Sequence, residues 1–453
     1  MADISEIAEP DPFRLLEGIE PGGSIVSYAF VDGNDICFGS SDFHVYSLNK
    51  NNGKLNWKFR TRGMVGLSSP VVDKGVLYAC STDGFVYALE AKTGSLLWEF
   101  RTNDIIFTSP AAFEDKIFVT SMDGYLYCLD SGGTLKWKHY MGKPIIISPD
   151  VVNGNVFVGS WVERNYQCIA PDGKVLWKVN MEHWPTNGAF ASPDGRFIAD
   201  VRSRKGVECS DFVLTFGSWN NRLYLVNDEG KTIWKEDVGA KLSSPTIENG
   251  KIFATSFDSN VYSFSMKDAT QMWRYATGDR ILYDTPFVHK GILYTGSNDG
   301  NIYALNTADG SLIWRFQTAG PVLSPPVVSE NILYVGSWDA HMYAFDISDP
   351  KNPKLLWKFM TGMPPSAPKF IKWIDEFEMF RQKYLNLQWK PETGAAMQEQ
   401  GKKGGYEGKA VGIGDYSAFS RSAYAGFHAG EAYAGKAGVY TSKRDEKKRD
   451  AYK

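Results

Sequence analysis

The chain has 453 residues and a formal net charge of −3. Charged residues make up 22% and hydrophobic ones 43%, the balance of an ordinary globular protein, and so small a charge gives no bulk attraction to nucleic acid or an anionic membrane. No run of about 18 apolar residues occurs, so no helix is expected to span a bilayer.

In chain order, Met1 to Pro12 is acidic and polar, without the basic and apolar regions of a secretory signal. Residues 1–23 read as a lead-in. From Ser24 a repeat begins, each unit closing on a tryptophan: Trp57, Trp98, Trp137, Trp177, Trp234, Trp273, Trp314 and Trp357. The spacing averages about 43 residues, a propeller period. The second unit shows the plan. Ser69-Pro70-Val71-Val72 precedes Asp73-Lys74-Gly75, and Val76-Leu77-Tyr78-Ala79 precedes Ser81-Thr82-Asp83-Gly84. Phe85 to Leu89, Thr93-Gly94-Ser95 and Leu96-Leu97-Trp98 complete it. These are four β-rich runs separated by three turn signals, with glycine supplying the positive φ that tight hairpins need. A four-stranded meander cannot bury both its faces alone, so the units must stack radially. The prediction is an all-β, eight-bladed propeller of four-stranded antiparallel blades over 24–370. Eight complete blades need no strand exchange between the termini to close the ring, and permuted closure stays open. The eight tryptophans are its blade-docking residues.

Six residues after the serine of each second hairpin stands a tyrosine: Tyr46, Tyr87, Tyr127, Tyr224, Tyr262, Tyr303 or Tyr343. Tyr166 holds that spacing in unit four, but Cys168-Ile169 fits the other units only with a one-residue insertion. An insertion at about 181–211, containing His183, Trp184, Arg202, Arg204 and Lys205, is expected before the second strand of blade five. After the propeller, residues 371–389 carry a helical pattern with Ile374, Phe377, Phe380 and Tyr384 on one face. Residues 390–453 shift to Gly, Ala, Ser, Tyr and Lys and read as a low-complexity, disordered tail.

The turns Thr93-Gly94-Ser95, Asp172-Gly173-Lys174 and Asp309-Gly310-Ser311, each followed by an apolar pair and the docking Trp, resemble PQQ-like repeats. The resemblance covers about Ser24 to Phe359. It implies a fold shared by quinoprotein dehydrogenases and by the BamB-type scaffold of outer-membrane protein assembly. For the dehydrogenases it implies PQQ in the central channel, a calcium ion, a catalytic Asp and a vicinal Cys–Cys disulfide. The five cysteines, Cys37, Cys80, Cys128, Cys168 and Cys209, include no adjacent pair, so no cofactor is expected. In size the chain is closer to the BamB-type scaffold.

No phosphate-binding loop, nucleophile elbow or metal-protease motif is present, and the six histidines are scattered without metal-ligand spacing. Asp42, Asp83, Asp123, Asp258, Asp299 and Asp339 recur at turn positions and read as turn devices. The hydroxyls of Ser69, Ser109, Ser148, Ser244, Thr285 and Ser324, at the inner-strand starts, either line the channel mouth or cap nearby backbone. One feature stands out against polar turn tips. The position after the serine of the second hairpin is Met122, Trp161, Trp219 and Phe257 in blades three to six, and Trp338 in blade eight. Either these side chains fold inward between loops, or they form an arc on the top face that holds a partner. The expectation is a monomeric, cytoplasmic, non-catalytic scaffold that binds an unnamed protein through this face. The alternatives are a PQQ- and calcium-dependent oxidoreductase and a peptide- or glycan-binding propeller.

Overall fold

In the computed structural model, residues 22–191, 212–281 and 285–362 are described. They form eight four-stranded antiparallel sheets, each with its strands in chain order. The blades span 30–60, 71–101, 111–140, 150–180, 185–237, 246–276, 287–317 and 327–360. The innermost strand has three residues in seven blades and runs Pro185–Ala191 in blade five. That strand falls inside the span expected to be an insertion. The interruption therefore narrows to 192–211, which lies outside the described residues. The helical pattern at 371–389, the stretch after Pro364 and the tail lie outside them too.

Local chemistry explains the strands. In blades two, four, six and seven the first hairpin turn carries consecutive positive φ values, as at Lys74-Gly75 and Asn249-Gly250, the geometry that matches the twist of paired strands. Every outer strand has a register shift opposite the third strand, next to its tryptophan. Such bulges twist an exposed edge and make it a poor template for pairing with another chain.

Blades are joined by a repeated device. The docking indole donates from Nε1 to a backbone carbonyl of the next blade. Trp57 reaches Ala91 O at 2.9 Å, Trp98 Ser131 O at 2.8 Å and Trp137 Pro171 O at 2.9 Å. Trp177, Trp234 and Trp273 repeat this with Asp228, Met266 and Thr307. Each ring lies on the third turn of the next blade. There Gly94, at φ +71°, leaves no room for a Cβ, which would stand 2.5 Å from Trp57 Cε3. At Gly94 both the backbone and the indole over it favour glycine, whereas blade six carries Ala269 at the same turn position, at φ +56°, beneath Trp234. Trp314 differs: its Nε1 has no hydrogen-bond partner, and the blade-eight turn it faces runs through Pro350 and Pro353.

The ring closes by the same means. Trp357 Nε1 donates to Lys50 O at 2.9 Å, Ile25 N to Ser337 O at 3.1 Å, and Lys50 Nζ pairs with Glu330 at 3.1 Å. Among the described residues no strand is exchanged between blades one and eight. Near the axis, serine hydroxyls tie inner strands together. Tyr28 N donates to Ser69 Oγ, Ser69 N to Ser109 Oγ and Ser109 N to Ser148 Oγ, at 2.9 to 3.0 Å. These three hydroxyls therefore serve backbone between blades.

The tyrosine register holds in seven blades and corrects the eighth. Tyr127 pairs with Lys138 one residue from the Cys128–Trp137 pair, and in blade four it is Gln167 that pairs with Lys178 beside Cys168–Trp177. The turn Ser160 to Arg164 is one residue longer than its counterparts. A slip of one residue exchanges the faces of a strand, so Tyr166 turns to the other side and stacks on Phe216, centroids 4.5 Å apart.

Candidate functional site

The top face is built from the second hairpin of each blade and the connection that enters that blade. The recurrent aspartate organises it. Asp83 Oδ1 accepts from Phe85 N at 2.9 Å, and its Oδ2 accepts from Tyr87 Oη at 2.7 Å and from Arg62 N of the incoming connection at 3.0 Å. The tyrosine–aspartate bond recurs at Tyr46–Asp42, Tyr127–Asp123, Tyr262–Asp258, Tyr303–Asp299 and Tyr343–Asp339. Burial and the neighbouring carboxylate push the phenols of Tyr46, Tyr87, Tyr127, Tyr262 and Tyr303 up, so they stay protonated as donors. Asp339 accepts from His341 N at 3.0 Å, Ala319 N at 2.9 Å and Tyr343 Oη at 2.6 Å. Burial alone would raise its pKa; these bonds and the His341 ring hold it below the usual carboxylate range.

The position after the hairpin serine is held against the incoming connection. Its backbone N–H donates to that connection's carbonyl in seven blades, as from Met122 to Ile105 O, Trp219 to Trp184 O, Phe257 to Lys241 O and Trp338 to Pro321 O. This holds four of the five candidate residues against the incoming connection, and the five differ in burial. Met122, Trp161 and Trp338 are buried, at 5%, 4% and 9% exposure, while Trp219 and Phe257 are half-buried. Met122 makes no part of an aromatic group. Trp338 packs with Val26, Met64 and Leu323, flanked by Phe43, Leu67 and Phe107, on the blade-eight-to-three side.

The other three come together. Trp161 meets Trp219 edge-on at 5.5 Å, and Trp219 meets Phe257 at 5.1 Å. The residue that joins them is Trp184, in the connection entering blade five. It stacks on Trp161 with centroids 4.8 Å apart and planes 4° from parallel, and lies 5.3 Å from Trp219. Trp161 Nε1 also donates to Pro185 O at 3.1 Å. His183 stands edge-on to Trp184 at 4.8 Å; burial first, then Arg164 and Lys241, lower its pKa and favour the neutral ring. Glu182, beside it in sequence, pairs with Arg222 at 2.7 Å and Lys235 at 3.5 Å. The result is a contiguous aromatic cluster over blades four to six, half open to water through Trp184, Trp219 and Phe257. The turn pattern points to three of its members. Trp184 stands seven residues after its docking tryptophan, where Met64, Ile105, Lys241, Arg280 and Pro321 stand in other blades, so the repeat marks the position but not an aromatic ring there.

For some members of the fold family the resemblance implies a quinone and a calcium ion, with a vicinal cysteine pair under the quinone. Cys37, Cys80, Cys128 and Cys168 are buried thiols on four different blades, and burial pushes Cys37, Cys128 and Cys168 up to about 12. Among the described residues no group of three or more His, Cys, Asp or Glu side chains is placed to hold a metal ion.

With its repeated tryptophan, turn glycine and tyrosine–aspartate pair, the molecule is a PQQ-like repeat β-propeller. More narrowly, the profile of the family described as outer membrane protein assembly factor BamB matches residues 9–106, 164–283 and 277–369, and the chain belongs to that family. Among solved structures it is similar to BamB from Moraxella catarrhalis, with a TM-score of 0.56 and 17% identity, covering 69% of this chain and 91% of that one. It is also similar to a europium-containing methanol dehydrogenase, with a TM-score of 0.56, 13% identity, and 74% and 88% coverage. A computationally designed protein, Ika8, gives 0.58, 14%, and 70% and 95%. At these identities the likeness is one of fold. Among curated sequences, the beta-alanine-activating enzyme of Danio rerio is 32% identical over 99 residues; the match covers 20% of this chain and 8% of that protein.

Proposed function

We propose that the protein is a non-catalytic scaffold that holds a protein partner on its top face, at the cluster of Trp161, Trp184, Trp219 and Phe257. The observation that carries this reading is the cluster itself. Turn tips are ordinarily polar, and half-open indoles grouped on a rigid rim are what binding hot spots are made of. The sheets beneath hold the rings in place, so little side-chain entropy remains to be lost on binding. A role in binding agrees with the family's description as an assembly factor. The dehydrogenase reading finds no supporting donor set among the described residues. The buried thiols suit a reducing compartment such as the cytoplasm.

The test is quantitative affinity capture with the wild type and with a Trp219→Ala/Phe257→Ala variant. Both residues are half-buried, so the fold should survive, as matched melting curves would verify. Selective loss of a partner from the variant supports the reading; an identical partner set with an intact fold overturns it. A melting shift on adding PQQ with calcium would overturn the non-catalytic part.

A further inference from the structure

At five junctions the residue two beyond the docking tryptophan is aromatic and packs on the tyrosine of the next blade. The pairs are Phe59–Tyr87, Phe100–Tyr127, Tyr275–Tyr303, Phe316–Tyr343 and Phe359–Tyr46, with centroids 5.6 to 5.9 Å apart. At the junction of blades three and four both members change together. His139 stands two beyond Trp137, and Gln167 occupies the tyrosine register. In place of ring packing, His139 Nε2 meets Gln167 Oε1 at 3.3 Å.

A polar network surrounds this contact. The Gln167 amide nitrogen donates to Asn165 Oδ1 at 2.8 Å and to Glu163 Oε2 at 3.3 Å, which turns Oε1 toward the imidazole. His139 therefore donates from Nε2 in its neutral form. Asn165 Nδ2 and Lys178 Nζ also donate to Glu163, at 2.9 and 3.0 Å. Burial alone would raise Glu163, but these bonds hold its pKa below the usual range. The charged groups facing His139 are thus Glu163, from the second hairpin of blade four, and Lys178, from its outer strand. On its own sheet the partner of His139 is the apolar Leu126. Gln167 is fully buried, so water does not share the contact from its side.

We propose that the junction of blades three and four is an acid-sensitive joint, at which protonation of His139 loosens the contact between the two sheets. A neutral imidazole fits between them. His139 is half-buried, so an imidazolium there forgoes part of its hydration, with Lys178 nearby and with Glu163 already engaged by Lys178 and Asn165. The charged ring recovers its hydration if the outer strand Leu135–Tyr140 separates from blade four. The direction of titration agrees: burial first, then Lys178, lower His139 below its ordinary 6.5, against smaller opposing effects of Gln167 and Glu163. A histidine depressed in the folded state contributes stability that is complete above the unfolded value of 6.5 and is lost as pH falls through the folded value. The joint is thus firm at pH 7.5 and weakened near pH 5.

The experiment compares thermal melting at pH 7.5 and pH 5.0 for the wild type and for His139→Phe/Gln167→Tyr, which installs the aromatic pair of the other junctions. The wild type should lose more melting temperature on acidification than the variant, by on the order of 1–2 °C. Equal losses overturn the proposal. A second measurement stands apart from the fold of the variant: the NMR titration of the His139 ring in the wild type. A midpoint below 6.5, with faster amide exchange in Leu135–Tyr140 on protonation, supports the joint. A midpoint at or above 6.5 overturns it.

Discussion

Gly94 and Gly75 lie in one blade and share a left-handed backbone, at φ +71° and +80°. Their surroundings differ. A Cβ at Gly75 would meet nothing within 4 Å, whereas one at Gly94 would stand 2.5 and 2.6 Å from Trp57 Cε3 and Cδ2. Alanine in the left-handed region costs about 1–2 kcal/mol, and both Gly75→Ala and Gly94→Ala bear that cost. Only Gly94→Ala must also push the indole back by about 1 Å to restore an ordinary carbon–carbon contact. That retreat breaks the bond from Trp57 Nε1 to Ala91 O, now 2.9 Å. A hydrogen bond of this kind contributes about 1 kcal/mol net, and the forfeited packing of the ring adds on the order of 1 kcal/mol. Gly94→Ala should therefore destabilise by up to about 2 kcal/mol more than Gly75→Ala. The difference is smaller if the turn shifts as in blade six, where Ala269 at φ +56° leaves Trp234 Nε1 2.9 Å from Met266 O. Calorimetric melting of the two variants beside the wild type measures the difference. Equal losses would refute the reasoning, because the turn glycine would then serve its own backbone alone.

Three more expectations rest on the same geometry. Trp273 and Trp314 are equally buried, but only Trp273 has a carbonyl partner, so Trp273→Phe should cost about 1 kcal/mol more than Trp314→Phe in denaturant titration. The Asp339 carboxyl is held below its usual range in the folded protein, so its stabilisation is present above the unfolded carboxylate value and fades as pH falls through the folded one. Asp339→Asn should thus cost about 1–3 kcal/mol at pH 7 and distinctly less at pH 3, read from melting at both values. Trp161→Ala should cost about 3–5 kcal/mol, because it removes a buried indole stacked on Trp184. Trp219→Ala, half-buried, should cost clearly less, and denaturant titration of the two variants orders them.

The blades were legible because their causes are local and repeat. A glycine with positive φ, a pair of apolar residues and a tryptophan in fixed order specify a hairpin and its docking face. What escaped the pattern depended on neighbours. Tyr166 keeps the sequence spacing of its counterparts, yet one extra turn residue hands its place to Gln167. Met122 and Trp338 sit at turn tips that sequence alone leaves open to water, but both are buried, Trp338 among Val26, Met64 and Leu323. Trp184 joins the cluster from a repeat position whose residue type varies between blades, so periodicity marks the place but not the ring. The inner strand Pro185–Ala191 was hidden within an apparent insertion because it lacks the three-residue form of the other seven.

The ring is closed by contacts of the kind that join every other pair of blades, and each blade draws all four strands from one continuous stretch of chain. The unit that a gene duplication copies is therefore the unit that folds. A copied stretch brings its own tryptophan to lay on the blade ahead and its own turn to receive the one behind, so blade number in such a lineage can change without leaving a strand unpaired. The same property makes the point of opening interchangeable. A chain begun at Ser69 and rejoined through a linker between blades eight and one would leave every sheet whole.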